Sequence, residues 1–195
     1  MDIWSAMAEA FDLPILEWIA ANLKCGFLDK VMPLITLLGD AGIFWIACSV
    51  VLICFPKTRK TGLAMGISLL IGLLVCNVTL KPLVARIRPY DYQEKILHNT
   101  ITLLVEAGEI HDYSFPSGHT IASFEAATAL MIGNKKLGIP AMILAVLIAF
   151  SRLYLYVHYP TDVLASIVLG IGIAFLGTFL VKKGYSLWES RKLTA

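Results

Sequence analysis

Apolar residues run in long blocks along this chain, and polar residues gather between the blocks. A bilayer core about 30 Å thick needs roughly 20 mostly apolar helical residues to cross it. Residues 41–55, 62–80, 137–150 with an aromatic extension to 157, and 163–181 approach that length. The first is short alone, but residues 27–38 are apolar too, so one helix interrupted at Gly39-Asp40 suffices to span. A fifth block, 120–133, contains a single charge, Glu125. The pattern predicts an all-α polytopic membrane helix bundle with about five crossings. Residues 1–40 precede it as an N-terminal segment of interfacial character. Within 1–23, Trp4, Met7, Phe11, Ile15 and Trp18 recur at helical spacing among Asp2, Glu9, Asp12, Glu17 and Pro14. That stretch reads as an amphipathic helix lying at the membrane surface, with a sixth span as the alternative.

Composition strengthens this reading. Hydrophobic residues make up 58% of the 195 and charged residues 15%, too few for the polar exterior of a soluble domain. A net charge of +2 without a basic, aromatic-interleaved stripe argues against a nucleic-acid partner. Cys25, Cys48, Cys54 and Cys76 lack Cys-x-x-Cys spacing and read as packing thiols. The N-terminus lacks the features of a cleaved signal peptide, so the mature protein is expected to be the whole chain, one domain over 1–195. Gly62 and Gly66 offer a close helix approach, a pattern that chance explains equally well.

Loop charges orient the bundle, because Lys and Arg in short loops favour the cytoplasm. Lys57, Arg59 and Lys60 fill one loop, Lys135 and Lys136 another, and Lys182, Lys183, Arg191 and Lys192 the C-terminal end. Five spans with the N-terminus outside put all three on one side. The acidic N-terminus and the region of Asp91, Glu94, Glu106, Glu109 and Asp112 then face outward.

Three polar clusters sit at the predicted outer ends of the helices. In the first, Lys81 and Arg88 are seven residues apart and share a face if the chain is helical between Pro82 and Pro89. Snorkelling cations at the interface explain that cluster equally well. The second, Ser114 to Thr120, directly precedes an apolar helix. A helix start favours an anion, Gly118 permits close backbone approach, and His119 lies beside it, although a simple N-cap by Ser117 also accounts for the pattern. The third contains Ser151-Arg152 and then His158-Tyr159-Pro160-Thr161-Asp162. Pro160 suits a first helical turn, which places Asp162 within reach of His158, and Arg152 adds a planar cation suited to phosphate oxygens.

Together the clusters read Lys81-x6-Arg88-Pro89, Pro116-Ser117-Gly118-His119 and Ser151-Arg152-x5-His158-x3-Asp162. In order, spacing and helix context this resembles the signature of the type 2 phosphatidic-acid phosphatase superfamily, over a core of about residues 62–181. The resemblance implies a metal-independent lipid phosphate phosphatase without a cofactor. It implies His158 as the nucleophile that forms a phosphohistidine, Asp162 as its orienting carboxylate, and His119 as general acid and base. Lys81, Arg88, Ser117, Gly118 and Arg152 would hold the phosphate oxygens.

Other ionisable residues have competing readings. His111 and Asp112 with His119, His158 and Asp162 form a conceivable metal set, but no close ligand spacing supports it. Glu125 is either a partner for a cation or a group facing a polar cavity. Arg86, a spacer position, is expected to meet lipid headgroups. Residues 90–113 read as a substrate cover in which Ile96, Leu97, Ile101, Leu103, Leu104 and Val105 rest on the membrane. A transporter or an inactive scaffold member are the competing classes, and the intact nucleophile–carboxylate pair argues against both. The expected partners are membrane lipids and a lipid phosphate or diphosphate at the extracytoplasmic face of the cell membrane. Undecaprenyl diphosphate is favoured over phosphatidylglycerol phosphate and phosphatidic acid.

Overall fold

The computed structural model describes residues 3–104 and 112–193. Met1, Asp2, Val105, Glu106, Glu109 and His111 therefore lie outside the described residues, with the expectations attached to them. The described chain is helical and contains eight helices, numbered in order, with a 3-10 turn at Asp40–Gly42 between the second and third. Helix α1 covers residues 3–22 with a π turn at Ala8–Asp12; α2 is Gly26–Leu37 and α3 is Ile43–Cys54. Helix α4 covers residues 59–84 and turns from α to π geometry over Leu73–Leu80. Then follow α5 (Pro89–Lys95), α6 (Gly118–Gly133), α7 (Lys135–Tyr154) and α8 (Pro160–Leu193).

Helix α6 is the centre of the bundle and packs against α4, α7 and α8. Its small residues Ala126, Ala127 and Ala129 are fully buried and let the neighbours close in, while Phe124 and Leu130 fill the remaining space. The outer helices carry the opposite pattern. Ile43 and Val51 on α3, Leu74 and Val78 on α4, Ile143 and Val146 on α7, and Val168 and Phe175 on α8 are exposed apolar groups, as a lipid-facing surface requires.

Among the described residues, Arg59–Lys95, Lys135–Tyr154 and Pro160–Lys192 are each long and apolar enough to cross a membrane. A fourth crossing forms if Gly26–Leu37 and Asp40–Cys54, bent by 41°, make one broken span. The break falls at the expected Gly39-Asp40 interruption, where Ala41 and Gly42 take left-handed backbone and stop the helix. Helix α6, expected as a fifth crossing, has 16 residues, about 24 Å at 1.5 Å per residue. Being sheathed by other helices, it need not match the bilayer. Gly62 and Gly66 do serve close packing: a Cβ on Gly62 would meet the Ser49 carbonyl at 2.8 Å, and one on Gly66 the Ser49 hydroxyl at 2.9 Å.

The N-terminal helix has two distinct faces. Phe11 and Trp18, members of the expected apolar stripe, are exposed, as groups that meet a membrane surface are, while the adjoining face of Ala8, Asp12, Leu16 and Ile19 is buried. This face packs with Tyr92 and with Tyr154 to Tyr159. A buried aspartate holds the helix against the bundle, for a reason that lies in the site.

Candidate active site

The ends of α4, α6 and α7 and the break between α2 and α3 enclose one cavity of about 970 Å³. Lys81, Arg88, Gly118, His119, Arg152 and His158 line its polar end, and the apolar limb passes Leu34, Ile46, Val50, Leu69 and Leu73. The structure thus brings together six of the eight expected site residues in one wall. Asp162 and Ser117 stand behind that wall.

Lys81 and Arg88 do not meet by sharing a helix face. Helix α4 ends at Val84 because Ala85 is left-handed, and Arg88 is extended, as the residue before Pro89 prefers. That turn, rather than helical periodicity, returns Arg88 to Lys81. Both cations reach one carboxylate: Lys81 Nζ pairs with Asp112, and Arg88 lies 3.6 Å from the same oxygen. An anion is therefore already accommodated at this point in the cavity.

Ser117 stands at the N-cap position of α6 in an extended conformation, makes no side-chain capping hydrogen bond and is fully buried; its amide N–H donates to Ser166 and its hydroxyl accepts from Thr120. The first turn of α6, with Gly118 and His119, faces the cavity instead. His119 Nε2 lies 2.6 Å from Asp40 Oδ1. Gly39 packs against the same ring, where a Cβ would come within 2.7 Å of His119 Cδ2. Arg152 donates to the Thr36 hydroxyl at 2.6 Å. Asp40 and Thr36 thus join the site from outside the three motifs. An acidic residue interrupting an apolar span was the available signal for Asp40; Thr36 gave none.

His158 occupies the short loop between α7 and α8 and is 1% exposed. Its Nε2 is 3.4 Å from Arg88 Nη1, which also donates to the Val157 carbonyl. Burial, then the charges of Arg88, Arg152 and Lys81, hold this imidazole well below the ordinary histidine range. Both effects favour the neutral ring.

Asp162 is close to His158 without the expected hydrogen bond. Its Oδ2 is 3.8 Å from Nδ1, which has no hydrogen-bond partner among the described residues. The carboxylate is held instead by the Ser114 hydroxyl at 2.5 Å, the Tyr159 amide at 3.1 Å and Arg86 at 2.6 Å. Arg86 is accordingly no headgroup contact; it is 4% exposed and its other nitrogen donates to Asp12. Glu125 also turns inward. It is buried on the cavity wall with Oε1 unpartnered among the described residues, and fills the space left by Gly72.

Comparison with known proteins gives the same family as the motifs. The sequence profile of the PAP2 superfamily matches residues 61–185. The undecaprenyl-diphosphatase of Sulfolobus acidocaldarius is 37% identical over 141 residues, covering 72% of this chain and 65% of that protein. The undecaprenyl-diphosphatase BcrC of Bacillus subtilis is 34% identical over 149 residues, covering 76% and 72%. Among solved structures, a transmembrane PAP2-type phosphatidylglycerolphosphate phosphatase from Bacillus subtilis superposes with a TM-score of 0.71 at 27% identity, covering 92% of this chain and 90% of that one. With the profile spanning more than half of its length and its polar motifs gathered in one cavity, this chain belongs to the PAP2 superfamily.

Proposed function

We propose that this chain is a membrane lipid phosphatase that hydrolyses a polyprenyl diphosphate at the extracytoplasmic face through a phosphohistidine on His158. One observation carries the proposal: a buried histidine and three cations share the polar end of a cavity whose other limb is apolar. Such a cavity suits a molecule with an anionic head and a hydrocarbon tail.

Lys81, Arg88, Arg152 and the first turn of α6 hold the transferring phosphoryl group where the Asp112 carboxylate now rests, so substrate displaces Asp112. Nε2 of His158, beside Arg88, attacks phosphorus in line. The ring becomes cationic as the bond forms, and Asp162 stabilises that charge across 3.8 Å. His119 protonates the departing oxygen and then takes a proton from the water that cleaves the phosphohistidine. The products are the shortened lipid and inorganic phosphate. The cations and helix dipole neutralise the phosphoryl charge in this scheme, and no metal is invoked.

The two undecaprenyl-diphosphatases among the relatives support the substrate. The phosphatidylglycerolphosphate phosphatase with the same fold favours a phosphatidylglycerol phosphate as the second reading. The sidedness rests on the loop lysines and arginines. Lys60 meets Glu189, and Gly133 approaches Thr61; these residues stand at the opposite ends of α4, α6 and α8 from Lys81, Gly118 and Asp162. The test is release of inorganic phosphate from purified lipids in detergent with EDTA present. Polyprenyl diphosphate should give the highest kcat/KM. A higher value for phosphatidylglycerol phosphate would select the second reading, and no release from any lipid would overturn the proposal.

A further inference from the structure

We infer that Asp12 and Arg86 are positioning residues of the active site, through which the N-terminal helix sets the carboxylate that faces His158. The inference rests on the reading of His158 as nucleophile. It goes beyond that reading because Asp12 lies outside residues 61–185 and Arg86 stands between the motif positions.

The guanidinium of Arg86 is a two-sided clamp. Nη1 donates to Asp162 Oδ1 at 2.6 Å and to the Thr161 hydroxyl at 2.8 Å, while Nη2 donates to Asp12 Oδ2 at 2.7 Å. Its central carbon sits 3.8 Å from the centre of the Tyr159 ring and 5.1 Å from that of Trp4, so two aromatic rings pack around the cation. Asp12 in turn binds the start of α8, accepting from the Thr161 amide at 2.9 Å and the Thr161 hydroxyl at 2.8 Å. A carboxylate at a helix N-terminus satisfies first-turn donors and interacts well with the dipole. Asp12 and Asp162 are fully buried and Arg86 nearly so.

One cation thus serves two buried carboxylates, and the division of its charge matters to the chemistry. Asp162 is useful to His158 only while it retains negative charge to meet the imidazolium that forms. Asp12 takes half of the Arg86 fork and leaves Asp162 incompletely neutralised. Removing the charge of Asp12 gives Arg86 wholly to Asp162 and also loosens the first turn of α8, which carries Asp162. Both effects weaken transition-state stabilisation and leave ground-state lipid binding alone.

The test compares the full-length parent with Asp12→Asn and Arg86→Lys in detergent. Turnover is read together with inhibition by vanadate, whose trigonal bipyramidal adduct resembles the transition state, and by inorganic phosphate, which does not. Asp12→Asn should lower kcat about tenfold, the value of one charge-assisted hydrogen bond, for lipid and aryl phosphate alike. Vanadate inhibition should weaken by a similar factor, with KM and phosphate inhibition nearly unchanged. A merely structural clamp predicts lower thermal stability with parental kcat and vanadate inhibition in the folded fraction, and that result would overturn the inference. So would a rise in KM with kcat intact. If Asp12→Asn does not fold, Thr161→Val removes one member of the network and should show the same paired loss in kcat and vanadate inhibition; parental values for both would also overturn the inference. Failure of the parent to form a phosphohistidine would instead reject the reading of His158, so the two failures are distinguishable.

Discussion

Nε2 of His119 and Oδ1 of Asp40 are 2.6 Å apart, joined across the break that separates α2 from α3. The bond gives the broken span a chemical purpose. A straight helix would carry Asp40 past the ring, whereas the left-handed pair Ala41-Gly42 stops the helix beside it. The carboxylate fixes the ring at the cavity wall, where a general acid must stand when the leaving oxygen departs.

Asp40→Asn should therefore behave as a weakened His119 lesion. We expect kcat for an alkyl phosphate to fall about tenfold, the worth of one charge-assisted hydrogen bond. A nitrophenyl phosphate, whose leaving group needs little protonation, should lose much less in its phosphorylation step. Steady-state and single-turnover kinetics on both esters check this. Equal losses would show that Asp40 does not act through proton transfer.

The site was legible in the sequence where chemistry fixes spacing. Lys81, Arg88, His119, Arg152 and His158 do face one cavity. What failed was inference about the backbone between such residues: Lys81 and Arg88 were expected on one helical face, but Ala85 turns the chain. Arg86 was hidden for a related reason. A cation near a membrane helix end has an inexpensive fate at the headgroups, and nothing local in the sequence shows that Asp12, far upstream, is folded against it. The amphipathic stripe of the N-terminal segment marks Phe11 and Trp18 as its outer face, but not that Asp12 on the adjoining face is buried against Arg86. Asp40 was visible as an interruption in an apolar run, though not as a partner of His119.

Acidity offers a second test, because His158 attacks only when neutral. Its pKa in the folded chain lies well below the ordinary value, so protonation and loss of rate come only as pH falls through that lowered value. In His119→Ala with an activated aryl phosphate, kcat/KM for phosphorylation should stay level from about pH 8 to about 6.5, the unperturbed histidine pKa. An inflection near that ordinary pKa would show that the buried cations do not depress His158.

Sidedness is open to chemical labelling. Cysteines placed at Lys57, Lys60 or Lys136 should react with an impermeant maleimide only after the membrane is permeabilised, and a cysteine placed at Tyr113 should react from outside in intact cells. These variants would be made in a background with the four native cysteines, all free thiols, replaced. The reverse pattern would place hydrolysis on the cytoplasmic side.

The most direct measurement of the central claim is phosphorus labelling of the enzyme by a labelled activated ester in the presence of EDTA, followed in time. The parent should carry transient, acid-labile label on the peptide that contains His158. His119→Ala should be labelled and keep the label longer, because water is no longer activated, and His158→Ala should take none. Acid-stable label, label on His158→Ala, or no label on a folded His119→Ala would contradict a phosphohistidine mechanism.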